Sequence, residues 1–527
     1  MVTMRGRVQT EVVPASVALM MGMMETTGLR TRLNEEWRSM DSKLRNLSGG
    51  MAAKAMIGNL FDDRTKAPLY NVHNRCLRFP HDILFGAGVG PEQISDTSLA
   101  SRLDAFACLD MPSVIWESYD ILTGHYGLGV GDELSGDSSN YTVYGVKYVD
   151  DDTGTLPALG GNAKDHSKRL QKNIYGMTDK RGIIRYAKAY DGNTSDKAMN
   201  VDAIRFLSEK VKQTGARFIL TGDCKLCDRQ SIREMEDNGI FFVTKVPANF
   251  ENRLRDRTIF RTADCMVQSE QREGLWLAEW ECDIDGAKHR LVAFRLDSRE
   301  AKSDLVSRKS IDKTVASLQK LSRRRFDSED EAREYLSSRI PEQFIPVISV
   351  DATFRIDDNA SPRNKVIWRI IVNDVRVNED VLKRRSESVA TSVLITNLPS
   401  EGSDAVDSYG IVRHYLDQYL SEKNFRLMKS GMNVDDVYLH TPGRQDAMFL
   451  MIALATQLTN VADYLLKVQD PEKVQTIRAA CKSLVMSELV YDRSDQSFSF
   501  NGSEKQFELF QRIAQTLSID DRYLMGF

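Results

Sequence analysis

The sequence predicts an α/β core, interrupted by an inserted α+β domain and preceded by a helical N-terminal domain. Three observations lead there. First, strand and helix signals alternate from about residue 130. Residues 140–149 are rich in Tyr, Thr and Val, which favours strand, and 182–190 (GIIRYAKAY) is a second strand candidate ending on the Asp191-Gly192-Asn193 turn. Ile204, Leu207 and Val211 have helical spacing over 203–212, and ARFILT at 216–221 is a short apolar strand that runs into Gly222-Asp223. A helix over 230–238 and a strand over 240–246, closed by Pro247, complete the alternation that marks an α/β core. Second, residues 249–362 break this pattern. Strands over 275–283 and 288–296 flank Asp285-Gly286, a hairpin signal, and helices follow over 311–324 and 328–338, the latter opening with Ser328 and Glu331 at capping-box spacing. Strands resume at 344–354 and 366–377. Third, the core returns with SVLIT at 392–396, a helix over 411–430 stopped by Gly431, and an apolar helix over 442–458.

The N-terminal part reads mostly helical, from the spacing of Leu29, Leu33 and Trp37 and of Leu99, Leu103 and Phe106. Residues 12–24 are apolar and follow Arg5 and Arg7, the outline of a signal peptide. Glu11 and Pro14 interrupt the run, and Met23-Met24-Glu25 is a poor cleavage site, so a buried helix is expected instead. The segments are therefore 1–126 (helical), 127–248 (first part of the core), 249–365 (insertion), 366–460 (second part of the core) and 461–527 (helical, without a legible motif).

Composition sets the outer limits. The chain has 527 residues, 42% hydrophobic and 28% charged, the profile of a soluble globular protein. Mean hydropathy is −0.38, and no apolar run reads as long enough to span a bilayer. The cysteines (Cys76, Cys108, Cys224, Cys227, Cys265, Cys282 and Cys481) are scattered and odd in number, which argues for free thiols rather than a disulfide framework. A net charge of −4 does not advertise a nucleic-acid binder, although 71 Lys and Arg residues can be segregated onto one face. Arg323-Arg324-Arg325 and Lys383-Arg384-Arg385 are local basic clusters that read first as solvated surface.

Other local signals carry little. Cys224 and Cys227 have zinc-ligand spacing but no second pair at a credible distance. The Gly86-x-Gly88-x-Gly90 and Gly127-x-Gly129-x-Gly131 runs fit neither the dinucleotide nor the P-loop pattern. His166 and His414 have no clear triad partner.

The carboxylates are more informative. Phosphodiester cleavage and strand transfer need an activated oxygen nucleophile and a stabilised leaving oxygen, and two Mg²⁺ ions about 3.5–4 Å apart can supply both. Mg²⁺ is held by a few carboxylates plus substrate phosphate. Asp223 follows an apolar strand through a single Gly222, the place where α/β sheets present functional acids, though a turn or cap role is equally open. On a continuous helix, Tyr415, Gln418, Glu422, Arg426 and Lys429 fall within an arc of about 80°. A solvated face with i,i+4 pairing of Glu422 and Arg426 explains the same pattern. Asp137 lies before the Tyr-rich strand and competes with Asp132 and the Asp150-Asp151-Asp152 triplet. Asp351 also ends a buried-looking strand, but it comes after the Asp191 turn and the Asp223 strand, which should follow the first acid.

Taken in order, these residues resemble the DDE transposases of bacterial and archaeal insertion sequences, in the group with a Tyr-x2-Arg-x3-Glu-x6-Lys signature. Tyr415, Gln418, Glu422 and Lys429 stand at that spacing, and Glu422-Lys423-Asn424-Phe425-Arg426 with Lys429-Ser430 resembles the family's Glu-x2-Phe-Arg-x2-Lys-Ser. Thr396-Asn397 matches the Thr-Asn that commonly precedes this helix. Gly161-Asn162-Ala163-Lys164-Asp165-His166-Ser167 resembles Gly-His-Ser-Lys-Asp-His, and Gly192-Asn193-Thr194-Ser195-Asp196 is close to Gly-Asn-x-x-Asp. Thr221-Gly222-Asp223 begins the second-acid block, and Phe242-Val243 with Lys245-Val246-Pro247 resembles its closing strand. Residues 96–104 resemble the accessory domain of one branch, so the likeness covers most of 12–458. Two departures stand out: Gln418 replaces the family's Arg, and the lead-in to Asp137 is polar for a first core strand.

The resemblance implies an RNase H-like catalytic core with a β-rich insertion, and metal-dependent cleavage and strand transfer of DNA at the ends of an insertion sequence. It implies that Asp137, Asp223 and Glu422 are catalytic and hold two Mg²⁺ (or Mn²⁺) ions, with Asp137 bridging them. Tyr415, Gln418, Arg426 and Lys429 are then DNA-binding, Lys429 as a point-charge phosphate contact. Implied partners are double-stranded DNA (terminal inverted repeats and target) and a second copy of the chain as a homodimer on DNA, with no membrane. The implied setting is the prokaryotic cytoplasm, at the nucleoid. Trp276 and Trp280 could stack on an unpaired base, but as alternating strand positions they read first as packing residues. A nuclease without strand transfer, or a DNA-binding remnant without chemistry, would share most of these features.

Overall fold

In a computed structural model the described residues are 11–38, 47–62, 72–144, 154–159, 170–262, 264–357, 366–431, 439–472 and 475–519. The fold is mixed α/β, in two compact units. One is formed within Met1–Lys225, Arg229–Phe241 and His414–Phe527, the other within Leu226–Asp228 and Phe242–Arg413.

The first unit opens with a short strand, β1 (Glu11–Pro14), and then helices α1 (Ala15–Thr26), α2 (Leu29–Arg38), α3 (Gly49–Leu60), α4 (Val72–Cys76), α5 (His81–Phe85), α6 (Asp96–Phe106) and α7 (Met111–His125). The apolar stretch suspected of being a signal peptide is thus a strand followed by a buried helix. In α1 every residue from Ala15 to Met24 is buried, because its apolar residues are not confined to one stripe. Ser48, Ser95 and Asp110 cap α3, α6 and α7 by accepting from the third N–H beyond them.

The sheet of this unit is built from β2 (Glu133–Thr142), β3 (Ala158–Leu159), β4 (Leu170–Asp179), β5 (Ile184–Tyr190) and, after α8 (Asp196–Thr214), β6 (Ile219–Gly222). β4 is antiparallel to β2, β3 and β5, and β2 is parallel to β6. β4 has no counterpart in the sequence reading. Its inward residues include Gln171, Lys172, Thr178 and Asp179, which are buried with partners rather than apolar. Lys172 Nζ donates to Asp446 Oδ1 (2.7 Å) and to the Pro442 carbonyl (2.9 Å). α9 (Arg229–Asp237) packs against α8. β7 (Phe241–Lys245) then leads into the second unit.

In the second unit, α10 (Leu254–Thr262), β8 (Val267–Gln268), β9 (Leu275–Ile284), β10 (Ala287–Leu296), α11 (Asp297–Gln319), α12 (Glu329–Ser338), β11 (Ile348–Ile356), β12 (Trp368–Val377), α13 (Glu379–Ala390) and β13 (Ser392–Thr396) follow one another. β7, β13, β10, β9 and β8 pair in that order, all antiparallel. The hairpin turns at Asp285-Gly286, both at positive φ, as its Asp-Gly signal predicts. Ser328 caps α12 by accepting from Glu331 N–H, as the capping-box spacing predicts. β11 and β12 form a separate ribbon, on which Asp351 is exposed and faces Asp374 across the pair. Asp351 therefore does not end a buried strand.

The chain returns through α14 (Ser408–Leu416) and α15 (Tyr419–Arg426), a π-helical turn at Leu427–Gly431, α16 (Pro442–Gln469), α17 (Ile477–Ser483), β14 (Glu488–Asp492), β15 (Ser497–Asn501) and α18 (Glu504–Thr516). The segment expected to be wholly helical thus contains a hairpin, and β1 pairs with β14. α16 is long and apolar enough to cross a membrane, contrary to the sequence reading, yet 83% of that stretch is buried within the protein. It forms the axis of the first unit's core, packed against α3, α6, α7 and β5.

A candidate carboxylate site on the first unit

Parallel pairing of β2 with β6 sets Glu133 opposite Ile219, Leu134 opposite Leu220 and Ser135 opposite Thr221. Asp137 is two residues beyond Ser135, and Asp223 two beyond Thr221. The two acids therefore leave equivalent positions of strands about 4.8 Å apart. Asp223 is the first residue past β6, as expected. Asp137 lies inside β2 rather than before it, and its polar neighbours are accounted for by what they bind. Ser138 N–H donates to Asp137 Oδ1 (2.8 Å) and Ser138 Oγ to Asp196 Oδ1 (2.5 Å). Gly136 leaves room for a ring: a Cβ there would lie 2.2 Å from the Tyr175 hydroxyl.

α15 covers Asp137 from the other side. Asp137 faces Gly176 across the β2–β4 pair, so their Cα–H faces share one side of the sheet. A Cβ on Gly176 would touch the Phe425 ring at 3.4 Å. Ser421 Oγ donates to the Ser135 carbonyl (2.7 Å), and Asn424 Nδ2 donates to Thr178 Oγ1 (3.1 Å) and to the Gly182 carbonyl (3.0 Å). α15 is thus pinned to β2 and β4 at the paired Ser135 and Thr178, two residues from Asp137 along β2. Glu422 falls between these anchors, three residues before Phe425 and so on its face of the helix. It is exposed and makes no ion pair among the described residues.

The helix expected over 411–430 is broken. Between α14 and α15 the chain turns at Asp417-Gln418, with i→i+3 bonds from Gln418 N–H to Tyr415 (3.3 Å) and from Ser421 N–H to Gln418 (3.1 Å). A π turn then follows Arg426. Angular arithmetic at a constant helical pitch therefore does not apply from Tyr415 to Lys429. Tyr415 lies on α14, Gln418 is half-buried in the turn, and Arg426 is exposed at the end of α15. Lys429 Nζ reaches Asn140 Oδ1 on β2 (3.3 Å), three residues beyond Asp137. The expected i,i+4 pairing of Glu422 with Arg426 is absent among the described residues.

A third acid, at the start of α8, joins Asp137 and Asp223. Asp196 opens α8 behind its cap Ser195, and the preceding turn is held by Asn173 Nδ2 on the Thr194 carbonyl (2.9 Å). A Cβ on Gly192 would lie 2.0 Å from the Gln171 carbonyl, so only glycine fits the turn. Lys225 pairs its ammonium with Asp196 and donates its N–H to Asp223 Oδ1 (2.9 Å). The buried Tyr175 phenol is held well above its usual pKa, first by burial and then by the charges of Asp137, Tyr186, Asp223 and Asp196. At the start of β2, His414 Nδ1 stands 3.2 Å from Glu133 Oε2 and Lys180 Nζ donates to Oε1 (2.8 Å). These partners, His414 foremost, bring Glu133 down to about 2.

The donors at this patch are of the kind divalent metal takes, hard carboxylate oxygens on neighbouring strands. Among the described residues, however, no three Asp, Glu, His or Cys side chains form a ready ligand group. Cys224 and Cys227 are not joined in a disulfide. The Gly161–Ser167 stretch, with His166, lies outside the described residues.

In the second unit, Trp276 Nε1 donates to Asp297 Oδ1 (2.8 Å), so this indole is committed to the fold. Trp280 is 37% exposed and borders a cavity of about 290 Å³ with Arg257 and Arg261. Members of both basic clusters stack on rings: Arg324 lies 4.0 Å from the Tyr335 centroid and Arg385 5.3 Å from that of Phe344.

Residues 11–117 match a domain family described only as a domain of unknown function, DUF4277. No curated protein matches the chain. Among solved structures, the chain is similar to a piggyBac transposase, seen by cryo-EM as a synaptic complex with hairpin DNA. The identity is 12% and the TM-score 0.36, over 91% of this chain and 82% of that one.

Proposed function

We propose that the protein is a DNA transposase whose RNase H-like core cleaves and joins DNA at the ends of an insertion sequence. The observation that carries this reading is the equivalence of Asp137 and Asp223 on parallel neighbours, with α15 pinned over Asp137 and Glu422 held there exposed. The ordered motifs of the sequence point the same way, to the insertion-sequence DDE transposases.

In this reading Asp137, Asp223 and Glu422 hold Mg²⁺ or Mn²⁺, with Glu422 closing the set when DNA brings phosphate oxygens to the patch. Bound there, the ions would activate an oxygen nucleophile and stabilise the leaving oxygen. The chain's own residues position the DNA. Arg426 is exposed beside Glu422 and suits a backbone phosphate, and Lys429 offers a cation near the far end of β2. Tyr415 and Gln418 extend this contact line across the α14–α15 turn. Gln418 supplies an amide where the family has a guanidinium, so it can bind phosphate but not neutralise it.

The test is Mg²⁺-dependent nicking and joining of duplex DNA carrying the inverted repeats that flank the gene. Asp137→Asn, Asp223→Asn and Glu422→Gln should each abolish both steps and leave DNA binding intact. Nicking without joining would leave a nuclease, and binding without either would leave a remnant.

A further inference from the structure

We infer that Asp196 is a positioning residue that fixes the spacing of the two strand-end acids, an inference that rests on the transposase reading above. An unbroken hydrogen-bonded relay joins Asp137 to Asp223, and Asp196 is its centre. Asp137 Oδ1 accepts from Ser138 N–H (2.8 Å), and Ser138 Oγ donates to Asp196 Oδ1 (2.5 Å). Asp196 Oδ2 takes the Lys225 ammonium, and Lys225 N–H donates to Asp223 Oδ1 (2.9 Å).

A carboxylate in the first turn of a helix is favoured by the helix dipole whatever else it does. That accounts for an acid at position 196. It does not account for one carboxylate holding side chains from both β2 and the loop after β6. Asp137 is held within β2 by its pairing with Gly176 of β4, whereas Asp223 stands just past the end of β6. The Asp196–Lys225 pair ties that loop to α8, and the Ser138 bond ties α8 to β2. Charge-assisted bonds of this kind are about twice as strong as neutral ones.

The relay also governs where the Lys225 charge goes. The Lys225 ammonium is paired with Asp196 while its own N–H is on Asp223 Oδ1, so the side chain is turned toward α8. Without the Asp196 charge, the ammonium's remaining attraction is to Asp223. There it would occupy an oxygen that a metal ion needs.

Mn²⁺ binding to the full chain, followed by the loss of the free-ion paramagnetic resonance signal, reads this directly without turnover. Asp196→Asn should weaken Mn²⁺ binding by about tenfold to a hundredfold, the usual effect of losing a partner behind a metal ligand. Adding Lys225→Met to Asp196→Asn should recover most of that loss, because no ammonium remains to cover Asp223. Wild-type binding in Asp196→Asn, or no recovery in the double variant, overturns the inference. If Asp196→Asn does not fold by near-UV circular dichroism, Ser138→Ala cuts the same relay with α8 intact. It should weaken binding several-fold, and wild-type binding there overturns the inference equally. Asp137→Asn is the control on the underlying reading. If it binds Mn²⁺ as wild type does, the metal reading itself fails and this inference falls with it.

Discussion

Asp137 and Asp223 occupy equivalent positions on parallel strands, each two residues beyond the paired Ser135 and Thr221. Nothing in the intervening sequence requires this. It arises because β2 and β6 run side by side in the same direction, so that residues far apart in the chain come to neighbouring positions.

Ser421→Ala removes the hydroxyl that satisfies the Ser135 carbonyl in a buried setting. The loss should be about 1–3 kcal/mol, the cost of leaving a buried acceptor unpaired. Because the same bond fixes α15 beside Asp137, nicking should fall more than the melting temperature suggests at the assay temperature. Full activity with reduced stability would show that α15 does not position Glu422.

Glu133 predicts an acid-side dependence of stability. The hydrogen bond from His414, more than any other cause, brings its carboxyl from the ordinary 4.5 down to about 2 in the folded protein. A depressed carboxylate stabilises the fold above its unfolded pKa, and that contribution is lost as pH falls from about 4.5 through 2. Glu133 is partly exposed, so the contribution is taken as about 1–2 kcal/mol after screening. Glu133→Gln should lower the neutral-pH melting temperature and flatten the stability curve between those pH values. An unchanged curve in that window would contradict the assignment.

The Lys172–Asp446 pair predicts an asymmetry. Lys172 is fully buried, and Asp446 also accepts from the Thr155 N–H (2.6 Å) and hydroxyl (2.9 Å). Asp446→Ala strands the ammonium in the interior and should cost about 3–5 kcal/mol. Lys172→Met leaves the carboxylate its Thr155 bonds and should cost clearly less. Chemical denaturation of the two variants decides it, and equal losses would mean that Thr155 does not compensate.

Much of the architecture was legible where side-chain chemistry repeats along the chain. SVLIT, ARFILT and the Asp285-Gly286 hairpin become β13, β6 and the β9–β10 turn because apolar runs and Asp-Gly turns are local signals. β4 was not legible, since polar residues interrupt its buried positions and one of them, Lys172, is satisfied by Asp446, far away in sequence. α13 was read only as a basic cluster, because Lys383-Arg384-Arg385 masks the buried stripe of Leu382, Ser386 and Ala390. The break at Asp417-Gln418 carries no Pro or Gly to announce it. At the site, Asp223 was readable as a strand-end acid. Asp196 could be seen as part of a motif, but its bonds to Ser138 and Lys225 depend on three elements meeting in space.

The central claim is that Asp137 and Asp223 share divalent metal with Glu422 when DNA is bound. A crystal of the protein with a duplex of its flanking inverted repeat and Mn²⁺ tests it through the anomalous signal of the ion. The account predicts Mn²⁺ peaks bonded to the carboxylates of both Asp137 and Asp223, with Glu422 turned into the same cluster. DNA bound in the crystal with no peak at these carboxylates, or with the metal on another set of residues, would contradict it.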